Sequence, residues 1–219
     1  MGNETEIKLP VRDLKEFVRT LKKLRARKIF RGTGRVHEWN VLFDTPQNEL
    51  GSRGRLLRIR RERRDSTGKR PWSKMERVVL TFKQPVGSDS EEASGPVPMT
   101  GQRHKIREEI ELEVSDSAAL TRVFEGMGFR GWFRYEKFRT TYRLPDSQKW
   151  AHGLLIEVDE TPIGTFVELE GPPNAIDRAA RELGFSERDY IVANYLTLYR
   201  EECARRGKEL GDMVFHQEK

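Results

Sequence analysis

Glu4-x-Glu6-x-Lys8 opens the chain, and a second acidic pair, Glu168-x-Glu170, stands near its far end. On an extended strand, residues two apart share a face and lie about 7 Å apart by the strand rise. Carboxylates at that spacing suit a hard divalent cation, which takes oxygen ligands, and are poorly placed to share a proton. Basic residues recur with the same period: Arg58 and Arg60, Lys83, Arg107, then Lys137 and Arg139. Guanidinium and ammonium groups neutralise phosphate oxygens. Together the two sets describe a site for a metal ion and a phosphorylated ligand, provided the fold brings them to one place.

Strands must carry most of them, because the alternation has period two. Arg58, Arg60 and Glu62 oppose Leu57 and Ile59, and Thr81 and Lys83 oppose Val78, Leu80 and Phe82. Arg107, Glu109, Glu111 and Glu113 oppose Ile110, Leu112 and Val114, and Lys137, Arg139 and Arg143 oppose Phe138, Tyr142 and Leu144. Glu157 and Asp159 face away from Ile156 and Val158, as Asn40, Leu42 and Asp44 do from Val41 and Phe43.

Between the strands run helical stripes. Leu14, Phe17, Val18, Leu21 and Leu24 predict a helix within 13–28, and Asp116 or Ser115 can cap another that Gly128 stops. Asn174 can cap a third, and Ser186 with Asp189 reads as a capping box for a longer helix running towards Arg206. Three times an acidic strand feeds an amphipathic helix, after Val11, after Val114 and after Glu170.

Eight or so strands with short connections indicate an antiparallel sheet or barrel. A lone strand would turn its charges to water. Here the helical stripes offer cover for the apolar strand faces from outside, which sends the charged faces inward. Eight strands enclose room for side chains or one small ligand. The expected fold is therefore α+β: a closed eight-stranded antiparallel barrel with amphipathic helices packed on the outside. Charge inside such a barrel is costly unless paired or ligand-bound, so the lumen reads as a binding site.

With 41 basic and 35 acidic residues among 219, the chain is unusually charged. The net charge of +6 suits a polyanionic ligand. So many carboxylates argue against a protein that only grips nucleic acid. One cysteine, Cys203, rules out an internal disulfide framework and fits a reducing, cytoplasmic setting. No run reaches the ~20 apolar residues of a membrane helix, and no signal peptide is evident. Walker A and dinucleotide fingerprints are absent, since Gly32-x-Gly34 lacks both a third glycine and the strand-to-helix setting. Residues 1–205 read as one domain, 87–101 as a mobile loop and 206–219 as a flexible tail.

In this order the motifs resemble the CYTH superfamily, the triphosphate tunnel metalloenzymes. The resemblance rests on Glu4-x-Glu6-x-Lys8, Phe43-Asp44-Thr45-Pro46, Leu57-Arg58-Ile59-Arg60 and Lys83, then Arg107-x-Glu109-x-Glu111 and Lys137-x-Arg139-x-x-Tyr142, and finally Ile156-Glu157-Val158-Asp159 and Gly164-x-Phe166-x-Glu168-x-Glu170. It reaches to about Arg200. It implies that Glu4, Glu6, Asp159, Glu168 and Glu170 bind one or two Mg²⁺ or Mn²⁺ ions. Lys8, Arg58, Arg60, Lys83, Lys137 and Arg139 would grip a triphosphate, and Glu4, Glu6, Lys8, Lys83 and Arg139 would take part in catalysis. Arg107, Glu109, Glu111 and Arg143 would shape the tunnel.

Two reactions follow from the resemblance. One is hydrolysis of inorganic triphosphate, thiamine triphosphate or a nucleoside triphosphate, which demands less of the site. The other is cyclisation of ATP to cyclic AMP and pyrophosphate, the class IV adenylate cyclase reaction. A polyphosphate- or RNA-binding module is the reading without catalysis. The partner is a triphosphate-bearing small molecule rather than nucleic acid or membrane, with monomer and homodimer both open.

Overall fold

A computed structural model describes residues 2–30, 33–64, 76–87 and 103–215. Most of the expected loop 87–101 lies outside the described residues. Nine strands form one antiparallel sheet: β1 (Gly2–Val11), β2 (Arg27–Lys28), β3 (Arg35–Asp44), β4 (Leu56–Arg64), β5 (Glu76–Pro85), β6 (Lys105–Val114), β7 (Arg130–Arg143), β8 (Leu155–Thr161) and β9 (Gly164–Glu170). Their order is β2-β7-β3-β4-β5-β6-β1-β9-β8, and pairing of β7 with β8 closes eight of them into a barrel. The two-residue β2 adds to the end of β7. Among the described residues five α-helices complete the fold: α1 (Leu14–Lys23), α2 (Glu49–Ser52), α3 (Ser117–Gly126), α4 (Pro173–Glu182) and α5 (Tyr195–Arg206).

The apolar strand faces do point outward. Ile7, Leu9, Ile156, Val167 and Leu169 meet Phe17 and Leu21 of α1 and Ile176 and Ala180 of α4 in the largest core cluster. Across the barrel, Phe43, Ile59 and Val78 pack against Phe124 of α3. Each fully buried aliphatic side chain contributes roughly 1.5–3 kcal/mol, so these two clusters brace the barrel from outside its wall, while a smaller one with Leu42, Tyr135 and Tyr195 borders the lumen. The lumen is thereby free for charge.

Helix boundaries follow local chemistry, in places differently from the sequence reading. Asp13 and Asp116 cap α1 and α3 through their side chains. Asn174 does not cap α4; Pro172 and Pro173 open it, with fixed φ suited to a first turn. The Ser186–Asp189 capping box is present but closes only the turn Glu187–Asp189. The chain is then drawn extended, because Ile191 exchanges both backbone hydrogen bonds with Lys8. Asn194 restarts the helix as α5.

The tail expected to be flexible from residue 206 is docked as far as Phe215. Met213 pairs with β7, accepting from Glu136 N–H and donating to the Arg134 carbonyl, both at 2.9 Å. It is 1% exposed. Gly171 ends β9 at φ +145°, and a Cβ there would stand 2.7 Å from the Gly153 carbonyl oxygen. That close approach and the positive φ require glycine directly after Glu170.

Candidate active site

The barrel encloses a cavity of about 270 Å³. Eight basic side chains line it, namely Lys8, Arg58, Arg60, Lys83, Lys105, Arg107, Lys137 and Arg139, against seven carboxylates, Glu4, Glu6, Glu109, Glu111, Glu157, Glu168 and Glu170. Strand register sets the acidic corner: on β1 and β9, Glu6 stands opposite Glu170 and Lys8 opposite Glu168. Nearly every acid here has a cation. Lys83 Nζ lies 2.6 Å from Glu4, Lys105 Nζ 3.0 Å from Glu6 Oε1, and Lys8 Nζ 3.1 Å from Glu168 Oε1. Arg139 donates to Asp159 and also meets Glu157 and Glu168.

These pairs fix the protonation states. Burial, the largest single influence, would raise Glu6 and Glu168, but the neighbouring cations together outweigh it, Lys8 and Lys105 at Glu6 and Lys8 and Arg139 at Glu168, so both stay well below the usual carboxylate range. At Lys8, burial is overcome by Glu168 and Glu6, which hold the ammonium charged. Glu170 is the exception, with no hydrogen-bond or ion-pair partner among the described residues. Burial, with Glu157 and Glu4 nearby, pushes it up to about 8. Burial also raises Glu157 to about 7 and lowers Lys105 to about 7.

Ten of the eleven residues expected at the site line this cavity. The eleventh, Asp159, shares their inward face but is fully buried beneath Lys137, Arg139 and Tyr195. Its oxygens accept from Lys137 Nζ at 2.9 Å, from Arg139 at 2.7 and 2.6 Å, and from the Tyr195 hydroxyl at 2.7 Å. Both oxygens are thus engaged by donors that they orient. Arg143 does not share the lumen; it is exposed at the end of β7, where β2 joins.

Sequence reasoning missed four participants. Glu38, 2% exposed, lies within 3.5 Å of Lys137 and 3.7 Å of Arg139. Burial acts to raise it, yet Lys137 and Arg139 bring it down to about 2. Lys105 continues the inward face of β6 two residues before Arg107. Tyr135 accepts from Arg58 at 3.1 Å. Extending the alternation along β3, β6 and β7 would have found all three. Tyr195 comes from α5, whose first turn covers the lumen, and its ring lies 5.2 Å from both Lys8 and Lys137. No period on a strand points to it.

A CYTH domain profile matches residues 2–195. The chain belongs to the CYTH family. Among solved structures, this CYTH chain is similar to a candidate adenylate cyclase from Vibrio parahaemolyticus, at 16% identity and TM-score 0.63 over 89% of this chain and 96% of that one. A conserved hypothetical protein from Pyrococcus furiosus matches at 25% identity and TM-score 0.61, over 89% and 99%. A candidate adenylyl cyclase from Hippeastrum with a dominant triphosphatase activity matches at 21% and 0.52, over 96% and 98%. The Vibrio and Hippeastrum likenesses are of fold. No curated protein matches the chain.

Proposed function

We propose that this CYTH chain is a divalent-metal-dependent phosphohydrolase acting on a triphosphate-bearing substrate held in the tunnel. The observation that supports it most is the interleaving of cations and acids on one enclosed wall. Lys8, Arg58, Arg60, Lys83, Lys137 and Arg139 would bind the phosphate chain. They are positioned by strands, and Lys137 and Arg139 also by Asp159 and Glu38. Tyr195, whose hydroxyl is held protonated by burial and by Asp159, covers the lumen and limits water.

Mg²⁺ or Mn²⁺ fits the donor chemistry of Glu4, Glu6, Glu168 and Glu170, all hard oxygens. Among the described residues no three carboxylates already converge on a point. What favours a cation is Glu170, a half-buried carboxyl without an ion-pair partner among the described residues, directly opposite Glu6. Such an ion supplies charge neutralisation at phosphate oxygens and activation of a water nucleophile.

Parallel incubations with ATP, inorganic triphosphate and thiamine triphosphate, each with Mg²⁺ and Mn²⁺, test this reading. Orthophosphate should appear with at least one of them. Glu4→Gln and Glu6→Gln should each lower kcat about 10²-fold or more, the scale of removing a group that organises transition-state charge. Cyclic AMP with pyrophosphate would replace hydrolysis by cyclisation. Absence of any turnover would leave a binding module.

A further inference from the structure

Beside the tunnel lies a second cavity of about 260 Å³. Leu42, Leu56, Arg107, Asn194 and Leu196 line both spaces, so the two are adjacent. Together the volumes lie within the roughly 300–1,000 Å³ of small-molecule sites. A triphosphate bound among the tunnel cations has its remaining substituent within reach of this annex.

The annex differs in chemistry from the tunnel. Its walls include Phe43, Leu57 and the half-exposed Trp132 besides Leu42, Leu56 and Leu196. Its single acid, Asp44, is already used: Oδ1 accepts from Thr45 and Leu50 N–H, and Oδ2 from Gly51 N–H at 2.8 Å. Several of its donor atoms are unused. Arg55 Nε and Arg107 Nε are buried without a hydrogen-bond partner, and among the described residues neither Arg55 nor Arg200 has an ion-pair partner. Asn194 spends its carbonyl oxygen on Thr197 N–H and hydroxyl, leaving its amide N–H groups available.

Apolar walls with unsatisfied guanidinium and amide donors call for a flat ring bearing acceptor atoms. We propose that the annex receives the base of a nucleoside triphosphate, whose ring nitrogens and carbonyl oxygens accept from Arg55, Arg200 and Asn194. This rests on the triphosphate reading of the tunnel and selects within it. Thiamine triphosphate would place a cationic ring against unpaired arginines. Inorganic triphosphate would leave the apolar walls and buried donors unfilled.

Calorimetry on the full chain with Mg²⁺ and non-hydrolysable, methylene-bridged analogues of ATP, thiamine triphosphate and inorganic triphosphate tests it. The ATP analogue should bind about tenfold or more tightly than the other two, the scale of one good charge-assisted hydrogen bond. Arg55→Gln and Arg200→Gln should each remove about that factor for the ATP analogue and leave inorganic triphosphate binding unchanged. Arg200 is exposed, so its variant keeps the test intact even if Arg55→Gln misfolds. Equal affinity for the inorganic analogue, tighter binding of the thiamine analogue, or equal losses for all ligands in Arg200→Gln would overturn the annex assignment while sparing the tunnel. Failure of every analogue to bind the wild-type chain would remove the triphosphate reading itself, and the annex with it.

Discussion

At the scale of single residues, Glu170 is the carboxyl on which the proposed cation would act most directly. A carboxyl raised to about 8 in the folded chain, against 4.5 for a free glutamate side chain, holds a proton that the unfolded chain releases. Stability therefore falls as pH rises between those two values. Glu157, raised to about 7, acts in the same sense, whereas Lys105, lowered from 10.5 to about 7, adds stability as pH rises above 7. Metal-free protein should lose thermal stability from pH 5 to about 7.5. Glu170→Gln should flatten that loss, and saturating Mg²⁺ should reverse it with uptake of metal and release of a proton. Scanning calorimetry across the pH range, with titrations in buffers of different ionisation enthalpy, checks both; an unchanged slope in Glu170→Gln would rule out this carboxyl as the source. Glu170 itself was legible in the sequence, because period two on β9 places it. Its protonation was not, since that depends on which cations reach which acids across strands far apart in the chain.

At the scale of elements, two irregular segments finish the barrel wall. β1 pairs with β6 only as far as Glu6, and beyond that point Ile191 takes up the backbone of Lys8. β8 pairs with β7 only from Phe138 onward, and Met213 occupies the edge before it. Open sheet edges would admit water to the buried ion pairs, so both segments protect the site as well as the fold. Met213→Ala should cost about 2–5 kcal/mol, as for other fully buried large apolar side chains, measured by denaturant unfolding. A loss under about 0.5 kcal/mol, the range of ordinary surface changes, would show the tail to be dispensable. The barrel strands were legible because most of them carry an alternation of charged and apolar residues. The tail and the Tyr190–Ala193 link were not, because single backbone bridges leave no period, and a capping box at Ser186 looks the same whether it starts one turn or four.

For the molecule as a whole, charge balance governs how ligands can enter. Eight cations and seven carboxylates share the lining, with Glu38 and Asp159 paired just behind it. Adding a divalent ion alone would displace Lys83 or Lys105 from Glu4 or Glu6 and strand an ammonium group in a desolvated space. A triphosphate alone would draw the lysines to its oxygens and strand the carboxylates. Both costs disappear when the two arrive together, since the lysines turn to phosphate and the acids to metal. Metal and triphosphate should therefore bind with positive coupling of about 1–3 kcal/mol, or roughly 5–150-fold in affinity. By reciprocity, each ligand must tighten the other by the same factor. Titrating Mg²⁺ with and without a non-hydrolysable triphosphate, and the triphosphate with and without Mg²⁺, gives the four affinities. The enhancement must exceed what the Mg²⁺–triphosphate complex forms in free solution. Lys105→Met removes one ammonium that the metal would otherwise displace, so it should raise affinity for Mg²⁺ alone and shrink the coupling. Independent binding in the wild type would mean that the tunnel's ion pairs persist around the ligands rather than exchanging with them.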